Sequence, residues 1–154
     1  MSHDSYAIDN AKAHLKDFCL WDAAADACID EQVPEDQKVV RFLRDECDFD
    51  GTNWAECLER IDQLCTDSAL CAEVRSGWYD ICRTGKTLYP DEFRITLTIG
   101  GPALWITGTL DDCALPGDVK LIYADQTTPP TELSVSETER DALLWYAAKF
   151  YFGS

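Results

Sequence analysis

The chain has 154 residues, 29 of them acidic and 13 basic, for a formal net charge of -16. That charge repels nucleic acid and anionic lipid surfaces, and a 46% hydrophobic content with five Trp excludes an acidic disordered tail. The length suits one domain, 1–154, with a sizeable core, and no run approaches the ~20 apolar residues of a membrane span.

Residues 5–29 predict one long helix or two abutting ones, with Ala7, Ala11, Leu15, Phe18 and Cys19 as the apolar stripe. Pro34 suits the first turn of a second helix, which carries Val39, Val40, Leu43 and Cys47 and ends near residue 47. Asp48-Phe49-Asp50-Gly51 reads as a turn. Thr52 or Asn53 then caps a third helix with Trp54, Cys57, Leu58, Ile61 and Leu64. Thr66 or Asp67 caps a fourth, with Leu70, Cys71, Val74, Trp78, Ile81 and Cys82, stopped near Gly85. Residues 1–88 thus read as a helical part, with a break near Tyr89-Pro90.

Phe93, Ile95, Leu97 and Ile99 alternate with Arg94, Thr96 and Thr98, the period of a strand with one buried face. Gly100-Gly101-Pro102 turns the chain. Leu104, Ile106, Gly108 and Leu110 take one face of a second strand, and Trp105, Thr107 and Thr109 the other. A hairpin alone is marginal, so a third strand is expected at Val119 to Ala124 after Pro116-Gly117-Asp118. Ser136-Glu137-Thr138-Glu139 is a capping box for a helix over 141–152, apolar on several sides and therefore sandwiched between sheet and N-terminal helices. Its remaining aromatics suit a homodimer contact. The fold class is α+β: a helical N-terminal part, a three-stranded antiparallel β-meander over 89–154, and a C-terminal helix packed on the sheet.

No catalytic signature appears, and no cofactor is implied. Thr84-Gly85-Lys86-Thr87 resembles the end of a phosphate loop, but the glycine required five residues earlier is Asp80, and the helix–strand order is reversed. Glu46 to Gly51 has the alternating oxygens of a calcium loop, yet its twelfth position is Cys57, so an acidic turn is the better reading. His3 lies at the chain end and His14 reads as a packing or surface residue. No Cys or His pair has zinc spacing. Several of the eight cysteines fall in helical register with Leu and Ile, as in Cys57-Leu58-Ile61-Leu64-Cys65, without CxxC and without an apolar leader run. They read as small buried hydrophobes in a reducing cytoplasm.

What remains is the acid itself, 21 of whose 29 residues lie in the first 92 positions. Asp22, Asp26 and Asp30 recur every four residues and so stack on one helical face, with no base in sequence between Lys16 and Lys38. Asp45, Glu46, Asp48 and Asp50 form a second cluster, and Glu56, Glu59 and Asp62 a third. These ten are the candidate partner-binding residues. A solvated face that keeps the protein soluble is the plain reading. A carboxylate array imitating DNA phosphates is the sharper one.

A small, strongly acidic, motif-free domain of this kind resembles the anti-CRISPR and anti-restriction proteins of phages and plasmids, many of them DNA mimics. The tail is also similar to a small mobile-element protein family over about residues 93–153. The pattern there is Gly100-Gly101-Pro102-Ala103, Gly108-Thr109-Leu110-Asp111, Thr128-Pro129, Asp141-Ala142-Leu143-Leu144-Trp145-Tyr146-Ala147 and Phe150-Tyr151-Phe152-Gly153. The resemblance implies a non-enzymatic cytoplasmic inhibitor that blocks the nucleic-acid-binding surface of a CRISPR effector. It would bind a basic protein, not nucleic acid or membrane. The alternatives are an acidic interaction module for a restriction, replication or toxin protein, and a small Cys-dependent enzyme. The reducing assignment is checked by thiol counting after anaerobic preparation and denaturation. All eight cysteines should react, and a count of two or fewer would overturn it.

Overall fold

The computed structural model describes residues 3–77, 89–99, 102–111 and 113–150. Helix α1 is continuous over His3–Asp30, about 42 Å at 1.5 Å per residue. Ala7, Ala11, Leu15 and Phe18 are buried as expected, and Ala24, Ala25, Ala27 and Cys28 continue the stripe to the helix end. The small residues let neighbouring helices approach closely. Helices α2 (Gln37–Cys47) and α3 (Trp54–Ser68) both pack on α1 and on each other.

Helix α2 does not begin at Pro34. Asp36 is its N-cap, accepting the Lys38 N–H at 2.9 Å. A carboxylate can satisfy a free first-turn donor and a proline cannot. The helix ends with Asp48 left-handed at φ 55°, and Gly51 at φ 102° completes the turn into α3.

The first part of the fourth helix expected after Thr66 or Asp67 is a strand instead, over Cys71–Gly77. Thr66 and Asp67 sit in the last turn of α3, where the Thr66 hydroxyl bonds back to the Asp62 and Gln63 carbonyls. Strand β1 (Cys71–Gly77) then pairs antiparallel with β2 (Tyr89–Thr98), Val74 opposite Phe93. Leu70, Cys71 and Val74 have helical spacing, but all three are exposed. They are therefore no buried helical face, and the open edge of β2 decides the backbone. The sheet thereby crosses the break expected at Tyr89-Pro90. Trp78, Ile81, Cys82, the Thr84–Thr87 motif, the Gly85 stop, Gly100-Gly101, Tyr151, Phe152 and Gly153 lie outside the described residues.

With strands β3 (Ala103–Thr109), β4 (Lys120–Ala124) and β5 (Thr131–Glu132), the described residues form a five-stranded antiparallel sheet in chain order, two strands more than expected. Phe93, Ile95, Leu97, Leu104, Ile106, Leu121 and Tyr123 fill its covered face. Ile99 lies beyond the strand and is 74% exposed. A register shift between Thr96 and Thr98 marks the end of the regular ladder. Between β3 and β4, Asp118 accepts from the Thr109 N–H at 2.6 Å and hydroxyl at 2.8 Å.

Helix α4 (Glu137–Ala147) opens with the expected capping box: Glu139 N–H to Ser136 at 3.1 Å, and Ser136 N–H to the Glu139 carboxylate at 2.8 Å. It packs chiefly on α1 and meets the sheet at β4, while α1 itself reaches β3 and β4. The cover of the sheet is thus shared, with α1 in the middle. Tyr146 is fully buried, stacked 4.1 Å from Phe18, and its hydroxyl lies 2.6 Å from that of Ser68. It therefore cannot serve the dimer contact expected of the C-terminal aromatics.

Two substitutions test this packing. Leu143→Ala should cost about 2–5 kcal/mol in chemical denaturation by opening a cavity between α4 and the core. Gly108→Ala should cost at least about 1–3 kcal/mol, because a Cβ there would collide with the Asp118 backbone carbonyl and the Phe93 ring. Losses below about 0.5 kcal/mol at both positions would contradict this arrangement.

Candidate functional site

The acidic residues are distributed by helix geometry, and not quite as their sequence clusters imply. Asp22 is half-buried, while Asp26 and Asp30 are exposed. The stacking of Asp22 and Asp26 has a consequence. Partial burial first, then the Asp26 and Asp141 carboxylates, push the Asp22 carboxyl up to about 6, with the Lys149 ammonium pulling the other way. Lys149 is the base that sequence proximity missed. It arrives from the end of α4, pairs with Asp62 at 2.9 Å and lies 4.7 Å from the centroid of the Trp145 ring. That Asp62 oxygen is buried and has no further hydrogen bond among the described residues.

Asp62 thus belongs with Asp22, not with Glu56 and Glu59. Six residues along a helix is a turn of 600°, so Asp62 leaves the face of Glu56, while Glu59 stays near it. The three-residue spacing masked this. Asp141 could be found only by knowing that α4 packs on α1.

The other acids gather where three helix ends converge. The thiols of Cys28, Cys47 and Cys57 lie within electrostatic reach of one another, and the Cys57 thiol is 3.5 Å from the Cys47 carbonyl. This joins the C-terminal ends of α1 and α2 to the start of α3. Asp30, Glu31, Asp45, Glu46, Asp48, Asp50 and Glu56 are exposed on these segments. Asp45 pairs with Arg44 and Asp48 with Arg60, each at 3.2 Å and in solvent, pairs worth ~0–1 kcal/mol. Asp50 accepts from the Thr52 N–H at 2.8 Å, its hydroxyl at 2.9 Å and the Asn53 N–H at 3.0 Å, which hold its carboxyl below the usual range. That oxygen is committed to the turn. Asn53 donates to Glu56 at 3.4 Å, and Glu46 and Glu59 make no ion pair among the described residues.

The thiols of Cys19, Cys28, Cys47, Cys57 and Cys65 are not poised for chemistry, while Cys71 and Cys113 are exposed and not the buried hydrophobes expected. Burial pushes Cys28 up to about 11, Cys47 and Cys65 up to about 12, and Cys19 and Cys57 above their ordinary value. A nucleophilic cysteine needs the opposite shift. His14 bonds the Asn10 carbonyl of its own helix at 3.0 Å. No helix among the described residues is long and apolar enough to cross a membrane. Comparison with protein-family models, curated proteins and solved structures finds no match.

The Asp22 environment yields a pH prediction. Asp22 holds its proton more tightly folded than unfolded, so its contribution is kept below the unfolded value of 3.8 and lost as pH rises through about 6. Asp22→Asn should therefore raise Tm above about pH 7 by about 2–4 °C, after discounting for its half-exposure, and change it little near pH 4. An equal shift at both pH values would refute this.

Proposed function

We propose that this protein is an acidic inhibitor that occludes the basic nucleic-acid-binding surface of a protein partner, a CRISPR effector in the first instance, with carboxylates standing in for phosphates. The observation that carries the reading is where the acids sit. A helix C-terminus already carries a partial negative charge, and an acid there opposes stability by roughly 0.3–1 kcal/mol. Yet Asp30 and Glu31 crowd the end of α1, whose last turn holds no base, and Asp45, Glu46 and Asp48 crowd the end of α2, whose last turn holds only Arg44, with Arg60 of α3 paired to Asp48. Acids spread for solubility alone need not choose those positions. Concentrated against two helix ends, they build a field that attracts a basic groove.

Along α1, four residues separate Asp26 from Asp30, an axial distance of about 6 Å. That is roughly one carboxylate per two phosphates of a DNA strand, whose axial spacing is about 3.4 Å. Asp22 is the weakest mimic of the ten, because burial and neighbouring acids favour its protonated form. Asp26, Asp30, Glu46 and Glu59 are the barest.

The test uses DNA binding by the inhibited effector. Replacing Asp22, Asp26 and Asp30 together with Asn should weaken inhibition by about tenfold or more and lower the slope of log affinity against log salt by about two to three. Stability should hold or rise. Unchanged inhibition here, and again with Asp45, Glu46, Asp48 and Asp50 neutralised, would defeat the proposal.

A further inference from the structure

The face of the sheet that carries Arg94 and Trp105 has a feature that the acidic surface does not explain. Arg94 on β2 stands opposite Glu73 of β1 and Thr107 of β3. Its guanidinium carbon lies 4.2 Å from the centroid of the Trp105 ring. Although the chain has 29 acids, and Glu73 is a cross-strand neighbour, Arg94 forms no ion pair among the described residues. Its Nε is buried and has no hydrogen-bond partner among the described residues. A desolvated donor without an acceptor is a standing cost that an incoming acceptor would relieve. Beside it is a cleft of about 160 Å³ lined by Glu92, Phe93, Arg94, Trp105 and Thr107. The Thr107 hydroxyl is already committed to the Phe93 carbonyl at 3.0 Å.

We infer that this cleft is a binding site for a single carboxylate group, held by the Arg94 fork over Trp105. The inference stands apart from the acidic surface and does not depend on it. Three observations select the ligand. A guanidinium offers two parallel N–H donors along an edge, which fit a planar carboxylate in bidentate fashion, and Arg94 lines the cleft with no ion pair among the described residues. The indole fixes the guanidinium plane, so little rotamer freedom is lost on binding. Glu92 at the rim and a net charge of -16 penalise a dianion more than a monoanion, so a carboxylate is favoured over a phosphate. The carboxylate can belong to a small organic acid or to the C-terminus of a peptide. A volume of this size takes the head group and leaves the rest of the molecule along the sheet.

The experiment follows the indole N–H resonance of Trp105, assigned through Trp105→Phe, in the whole protein at constant ionic strength. Benzoate, inorganic phosphate, and a short acetylated peptide with either a free or an amidated C-terminus are titrated against a chloride control. Benzoate should give a saturable shift in the millimolar range, with phosphate weaker and chloride inert. A free-acid peptide that binds tighter than benzoate while its amide does not bind identifies a peptide terminus as the ligand; the reverse order identifies a small acid. Arg94→Lys keeps the charge but loses the fork and should weaken benzoate by ~10-fold. Glu92→Gln should tighten it about two- to fivefold by removing the rim charge, and it serves as the test should Arg94→Lys fail to fold. No saturable shift with any carboxylate, an unchanged affinity in both variants, or tighter binding of phosphate would each overturn the assignment.

Discussion

The contact between Phe18 and Tyr146 holds the arrangement together. Their rings stack 4.1 Å apart at the meeting of the first and last helices, with Trp21 edge-on to Phe18 at 5.7 Å and Phe150 edge-on to Tyr146 at 5.3 Å. Such pairs add about 0.5–1.5 kcal/mol each to the burial of large rings. Tyr146 also brings a hydroxyl into the core, and burial pushes its ionisation up to about 12. The Ser68 hydroxyl answers it at 2.6 Å, at the residue where α3 ends and the chain turns toward β1. One side chain thus ties together the two ends of the chain and the joint between helices and sheet.

The electrostatics follow from that clamp. Because α4 lies on α1, Asp141 and Lys149 come beside Asp22, and Lys149 reaches Asp62 on α3. Lys149 serves several carboxylates, and Asp22 stays raised because burial first, then Asp26 and Asp141, outweigh it. At the other end, the buried Cys28, Cys47 and Cys57 allow α1, α2 and α3 to converge, and the acids there face water with two surface ion pairs among them. The interior supplies the stability and the surface spends part of it on repulsion. That division makes sense if the repulsion is relieved by a positively charged partner, which is the functional reading advanced above.

The parts of the fold that depend on local signals were legible in the sequence. The capping box at Ser136 and Glu139, the hairpin of β2 and β3, the turn at Asp48 to Gly51 and the α1 stripe each have a short-range cause. The failures have a shared reason. Leu70, Cys71 and Val74 have helical spacing, but the backbone of β1 is decided by β2, some 20 residues later in the chain. Thr131–Glu132 joins the sheet because Ile122 and Tyr123 offer it an edge, and nothing in two residues after Pro129-Pro130 announces a strand. For the surface, the four-residue repeat of Asp22 and Asp26 was readable, whereas Lys149, Asp141 and the regrouping of Asp62 needed the helix packing. The Arg94–Trp105 pair was invisible for the same reason, since its members are 11 positions apart on facing strands.

The central claim is that the acidic surface takes the place of nucleic acid on a basic partner. The most direct measurement is competition: the immobilised protein is exposed to a host lysate, and the retained proteins are challenged with increasing duplex DNA at fixed salt. The account predicts that the retained proteins bind nucleic acid and are displaced by DNA in proportion to its concentration. Retention that ignores saturating DNA would contradict it.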